Sequence, residues 1–168
     1  MILGCNRGFS LTELVVVIAL IAIMLAMVSL NFSDWTKKYQ IEQKTNELTA
    51  ELNNLRLSAV TTKMPHAAII DTSSYVFKRY SSDADDGGAV SSTVLSKTTS
   101  YSIRKYSGGS LVAPSGLNVS FDIGGYSSSG ATLMIGPDNN SASFNCVVIS
   151  TGRVKKGKWD ETAKDCIY

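Results

Sequence analysis

The sequence is short of the residues that most chemistry needs. It holds one histidine, His66, three scattered cysteines and three prolines in 168 residues, and only 18% of it is charged. One histidine and dispersed cysteines leave no partners for a Ser-His-Asp triad or a four-ligand zinc site. No sign of charge dominates: sixteen Lys and Arg stand against fourteen Asp and Glu, a net charge of +2. That balance removes any bulk-charge argument for nucleic acid or anionic membrane as a partner. The composition points away from an enzyme, and no residue set asks for a metal or cofactor.

What the chain does have is one long apolar run. Residues 14–33, LVVVIALIAIMLAMVSLNFS, are twenty in a row without a charge. At ~1.5 Å rise per helical residue they span ~30 Å, the hydrocarbon thickness of a bilayer. The β-branched residues of the run (among them Val15, Val16, Val17, Ile18 and Ile21) weaken a helix in water. In lipid, though, the backbone must satisfy its own hydrogen bonds and a helix is the form that does so. A buried core helix and a secretory signal are the competing readings. The run exceeds an h-region of ~7–15 residues and no small-x-small cleavage site follows it.

Ahead of the run stands a short leader ending Asn6-Arg7-Gly8, then Phe9-Ser10-Leu11-Thr12-Glu13. Ile2-Leu3-Gly4-Cys5 mimics a lipoprotein box, but no apolar h-region precedes it. Glu13 places a carboxylate at the edge of a membrane helix, where an ionisable group is a functional candidate. Gly8-Phe9-Ser10-Leu11-Thr12-Glu13-Leu14 before an apolar helix resembles the class III signal of type IV pilins and type II secretion pseudopilins. The resemblance implies that a prepilin peptidase cuts between Gly8 and Phe9 and that the new N-terminal Phe9 is methylated. It also implies a role for Glu13, as the partner of the free terminal amine of a neighbouring subunit. Such pairing offsets the cost of desolvating the carboxylate only when subunits stack in register.

Beyond the run the helix is expected to continue, from about Phe9 to about Thr62. There is no Gly or Pro from Ser33 to Lys63, and Ile41, Leu48, Leu52, Leu55 and Ala59 recur at helical spacing. Pro65 is the expected stop. Trp35 and Tyr39 suit either an interfacial aromatic belt or plain packing. The period then changes to that of strands at 66–71, 75–80, 93–98, 101–106, 117–123, 132–135, 144–150 and 153–156. Gly-, Ser- and Asn-rich turns separate them. Many short strands predict an antiparallel sandwich or barrel-like sheet.

Both ends of this second part are similar to the GspH/FimT group of minor pilins and pseudopilins. The likeness lies in Glu47 to Val60 leading into a strand, and in Val147-Val148-Ile149-Ser150-Thr151-Gly152-Arg153-Val154. The expected fold is therefore α+β and type IV pilin-like: a long N-terminal helix, half membrane-embedded and half amphipathic, packed on an antiparallel β-sandwich head. Its parts are a leader (1–8), an apolar helical half (9–33), an amphipathic half (34–64) and the head (65–168). The resemblance implies a structural subunit that initiates or caps a type IV pilus or type II secretion pseudopilus. Its partners would be other pilins through the helix, the prepilin peptidase, the inner-membrane assembly platform and the lipid bilayer. The location would be the inner membrane, single-pass, with a periplasmic head.

In that oxidising compartment Cys146 and Cys166 are expected to form a disulfide. Arg153, Lys155, Lys156 and Lys158, with Trp159 beside them, are the one local concentration of positive charge. On a turn they could hold phosphates while Trp159 stacked on a base. Gly152-Arg153-Val154-Lys155 resembles the GRxR-like DNA-binding loop of some FimT members, with Lys in place of the second Arg, so DNA is the alternative partner. Residues 152–158 mimic a P-loop, but Trp159 stands where Ser or Thr is required. Asp83-Ala84-Asp85-Asp86-Gly87-Gly88 hints at calcium but lacks the EF-hand ligands, with Gly87 and Val94 at ligand positions. It reads as a solvated acidic loop.

Overall fold

The computed structural model describes residues 9–81, 90–137 and 140–168, with the backbone alone at 27–31. The leader with Gly8 and the acidic loop 83–88 lie outside the described residues. The chain divides into two compact units between Lys37 and Lys38.

Helix α1 runs Leu11–Thr62, two residues inside the expected start and at the expected end. The Ser10 carbonyl accepts from the Leu14 N–H at 3.2 Å, so Ser10 stands at the N-cap. At the other end Lys63 takes φ 54°, a left-handed conformation that closes the helix before Pro65 is reached. In the first unit, described by itself, the apolar side chains that are described point outward: Leu14, Val15, Val16, Val17 and Ile18 are each 42–57% exposed. Successive helical positions point in different directions, so the apolar surface surrounds the helix rather than forming a stripe.

The second unit is built on the opposite pattern. Ile41, Leu48, Leu52, Leu55 and Ala59, the stripe read from the sequence, are all 0–3% exposed. Thr45 shares their face, and its hydroxyl donates to the Ile41 carbonyl at 2.9 Å, which satisfies it without an outside partner. Around this stripe lie two antiparallel sheets. The first holds β1 (His66–Ile70), β2 (Ser74–Tyr80), β3 (Val90–Thr98) and β6 (Leu117–Phe121), ordered β3-β2-β1-β6. The second holds β4 (Ile103–Ser107), β5 (Ser110–Val112), β7 (Ala131–Ile135), β8 (Cys146–Ser150), β9 (Arg153–Asp160) and β10 (Asp165–Ile167), ordered β10-β9-β8-β7-β4-β5.

One core joins all three elements. The helical stripe meets Ala68, Ile70, Phe77, Val119 and Phe121 of the first sheet and Ile103, Leu133, Ile135, Val147 and Ile149 of the second. The sheet alternation therefore aims one face of each sheet at the helix. A smaller cluster of Met134, Cys146, Trp159 and Cys166 covers the other face of the six-stranded sheet. His66 is buried and bonded through Nδ1 to the Met64 carbonyl at 2.8 Å, a satisfied core histidine.

Strand β3 is tied to the helix by charge as well. Lys97 Nζ donates to Glu47 at 2.6 Å and to Glu51, while Lys44 holds the other oxygen of Glu47 at 2.8 Å. Lys44 first, then Lys97, pull the Glu47 carboxyl below its ordinary value of 4.5. A depressed carboxyl stabilises the fold above its unfolded pKa, and that stabilisation is lost as pH falls through the folded one. Acidification from about pH 6 to about pH 3 is expected to lower the urea midpoint, and Glu47→Gln to flatten that loss. An unchanged acid limb in Glu47→Gln would assign the loss to other carboxylates.

Candidate functional site

Phe9, 74% exposed, stands two residues ahead of α1, and Glu13 lies in the first turn of the helix. Glu13 is the acidic residue of that turn, where the helix dipole favours negative charge. Among the described residues no helix is long and apolar enough to cross a membrane. The described side chains of the apolar run stop at residue 26, and those of 27–31, inside the run, lie outside the set.

The basic segment departs from expectation in three ways. The strand expected at 153–156 runs on to Asp160: Arg153 to Asp160 form the eight-residue strand β9, antiparallel to β8, and only residues 151–152 turn, so the charges do not sit on a turn. A strand's side chains alternate between faces, so Arg153 and Lys155 lie on one face and Lys156 and Lys158 on the other. Lys156 Nζ donates to Asn46 Oδ1 of the helix at 2.5 Å and sits 4.6 Å from the centre of the Phe144 ring. Lys155 Nζ sits 4.7 Å over the ring of Tyr168. Trp159 is 5% exposed, its ring 5.3 Å from that of Tyr106. A buried indole cannot stack on a nucleobase. The contiguous charges read from the sequence are sorted by the pleat onto two faces, and the DNA alternative loses its surface.

The cysteine pair behaves as expected. Cys146 on β8 and Cys166 on β10 are joined by a disulfide across β9, with Cα atoms 6.1 Å apart and a sequence separation of 20. In the chain-entropy account a loop of this size is worth ~3 kcal/mol. The residue that sequence reasoning missed is Gly157, which faces the bridge from the middle strand. Cys146 pairs with Gly157 in register, and a Cβ there would lie 2.3 Å from the Ile167 carbonyl oxygen and 2.9 Å from Cys166 Sγ. A glycine inside a strand marks such close approaches, and that signal was available.

The turn between β9 and β10 is held by Asp160, whose Oδ1 accepts from the Thr162 and Ala163 N–H groups at 2.7 and 2.9 Å. Those bonds, Ala163's first, lower the Asp160 carboxyl below its ordinary value. Among the described residues no cluster of His, Cys, Asp and Glu could hold a metal.

Comparison with known proteins adds two findings. Residues 4–29 match the family model for the prokaryotic N-terminal methylation motif. No protein of curated function matches the chain. Among solved structures, the chain is similar to the minor pseudopilin EpsH from the type II secretion system of Vibrio cholerae, at 16% identity and TM-score 0.54. The match covers 73% of this chain and 99% of that one. It is similar to the type IV minor pilin FimU of Pseudomonas aeruginosa at 14% identity and TM-score 0.54, covering 74% and 92%. The α+β arrangement of a long helix and antiparallel sheets is thus the fold of minor pilins and pseudopilins.

Proposed function

We propose that the chain is a minor pilin or pseudopilin, a structural subunit that initiates or caps a type IV pilus or a type II secretion pseudopilus. The observation that carries this reading is a conjunction. A methylation motif spanning Gly8, Phe9 and Glu13 stands at the head of a chain with the minor-pilin fold. The physical chemistry agrees with it. A helix apolar on all sides, with Leu14 to Ile18 exposed, needs lipid before assembly and neighbouring helices after it. The prepilin peptidase would cut between Gly8 and Phe9, and the amine of a neighbour's Phe9 would meet Glu13. The inner-membrane assembly platform would lift the subunit from the bilayer into the filament. A periplasmic location for the second unit suits its disulfide, because oxidising compartments preserve such bridges. No catalytic step belongs to this role.

The test is the intact mass and N-terminal sequence of the protein from its native membrane. A chain that starts at methylated Phe9 is expected, and loss of processing when Gly8 is replaced by a bulky residue. A protein from that membrane that still starts at Met1 would overturn the assignment.

A further inference from the structure

Strand β9 is longer than the strand that covers its outer edge. It pairs with β8 from Arg153 to Gly157, whereas β10 pairs on the other edge with Lys158, Trp159 and Asp160 alone. The Gly157 carbonyl accepts from the Asn145 N–H at 3.0 Å, and the Trp159 N–H donates to Asn145 Oδ1 at 2.7 Å. Gly157 and Trp159 therefore turn their backbone groups toward the β8 side. Those groups alternate in direction along an antiparallel strand, so Val154, Lys156 and Lys158 turn theirs the opposite way. Lys158 meets Ile167 of β10 there. Val154 and Lys156 meet no strand among the described residues.

Both line a cleft of about 640 Å³ whose opposite wall is the helix, at Asn46, Thr49 and Ala50. Lysines commonly guard an open strand edge against pairing. Here they are drawn aside, Lys156 Nζ to Asn46 and the Phe144 ring, and Lys155 Nζ onto the Tyr168 ring. No carboxylate among the described residues pairs with either.

The chemistry of an occupant follows from this edge. Val154 and Lys156 each offer an N–H and a C=O, repeating about 6.6 Å apart at ~3.3 Å per residue. A phosphate offers acceptors alone and would leave both carbonyls unmatched. An extended peptide supplies donors and acceptors in the same alternation at the same spacing. Strand β10 shows that this edge accepts a strand, in the row that an added segment would continue. Val154 belongs to the core around the helix and Lys156 reaches Asn46, so both side chains face the helix, while Arg153 and Lys155 face away. On an added strand the inward side chains would meet Thr49 and Ala50 and must be compact and apolar. The outward ones would lie across from Arg153 and Lys155, where a carboxylate gains an opposite-charge pair.

We propose that the open half of β9 takes an extended segment of a partner protein as an added strand, with compact side chains toward the helix and acidic ones beside Arg153 and Lys155. The site does not rest on the filament reading, because it is built from the second unit alone.

Amide hydrogen exchange, read by NMR on the nitrogen-labelled full chain in detergent micelles, tests the edge and its occupant together. In the free protein the Lys156 N–H is expected to exchange about tenfold faster than that of Lys155, which faces β8. The probe is acetyl-Ala-Glu-Val-Glu amide, with two controls: the same peptide methylated on its Ala and Val nitrogens, and one with Gln for both Glu. The probe is expected to half-saturate on the order of 1–10 mM. At three times that concentration it should slow exchange at Val154 and Lys156 about fourfold and leave Lys155 unchanged. The Gln peptide is expected to bind about fivefold more weakly. The methylated peptide keeps the charge but cannot complete the ladder, and should slow nothing. No slowing by the probe would overturn the proposal, as would equal binding by either control. A Lys156 N–H already as protected as that of Lys155 in the free protein would overturn it too.

Discussion

Placing a methyl group on Gly157 is expected to cost ~1–3 kcal/mol of stability and to open the Cys146–Cys166 bridge to reductant. The new Cβ would fall 2.3 Å from the Ile167 carbonyl oxygen, a backbone atom that cannot rotate away, and 2.9 Å from Cys166 Sγ. Relief requires β10 to lift off β9, breaking the pairs Cys166–Trp159 and Ile167–Lys158, while the disulfide holds Cys166 down over the same spot. The two constraints oppose each other, so the effects should not add. In a chain carrying Cys146→Ser and Cys166→Ser, itself weakened by ~3 kcal/mol, β10 is free to move and the Gly157→Ala penalty should shrink. Urea midpoints of the four chains of this cycle, with the rate at which dithiothreitol reduces the bridge in the two bridged chains, measure the coupling. Strict additivity would show that the contact with the bridge is not what makes glycine necessary.

Gly157 also shows why part of the molecule was legible in the sequence and part was not. The helix end and most strands could be read because their signals are local. Ile41, Leu48, Leu52, Leu55 and Ala59 repeat at helical spacing, and all are buried. The strand at 153–156 was ended too early because a glycine follows it, whereas β9 runs on through Gly157 to Asp160. There the glycine serves a neighbour that lies ten residues on in sequence and is brought back by the turn at Asp160. Trp159 misled for a related reason. Between Lys158 and Asp160 it reads as solvent-facing, and only the second cluster of Met134, Cys146 and Cys166 buries it. Strands β5 and β10, three residues each, carry too little apolar pattern to be seen and exist as additions to longer neighbours. The cleft beside β9 sets Thr49 and Ala50 against Val154 and Lys156 from distant parts of the chain, a juxtaposition that spacing cannot announce. The N-terminal motif was the reverse case, wholly local, and it carries most of the functional reading.

Leu52→Ala is expected to cost about 2–5 kcal/mol, against no more than about 0.5 kcal/mol for Leu57→Ala barely more than one turn away. Leu52 is fully buried and Leu57 is 60% exposed, although both sit in the same uninterrupted helix with the same propensity. The difference isolates packing from helix formation. Leu52 belongs to the cluster that includes Phe77 and Phe121 from one sheet and Leu133 and Ile149 from the other, so its removal leaves a cavity where the two sheets share the helix. Surrounding side chains come from three elements and cannot all close in at once, which places the expected cost above that of simple transfer. Urea titrations of the full chain in detergent should show the Leu52→Ala midpoint falling with an unchanged slope. A reduced slope would mean instead that one sheet detaches before the other and that the stripe is what makes them unfold together. Equal midpoints for the two variants would contradict a core centred on this stripe.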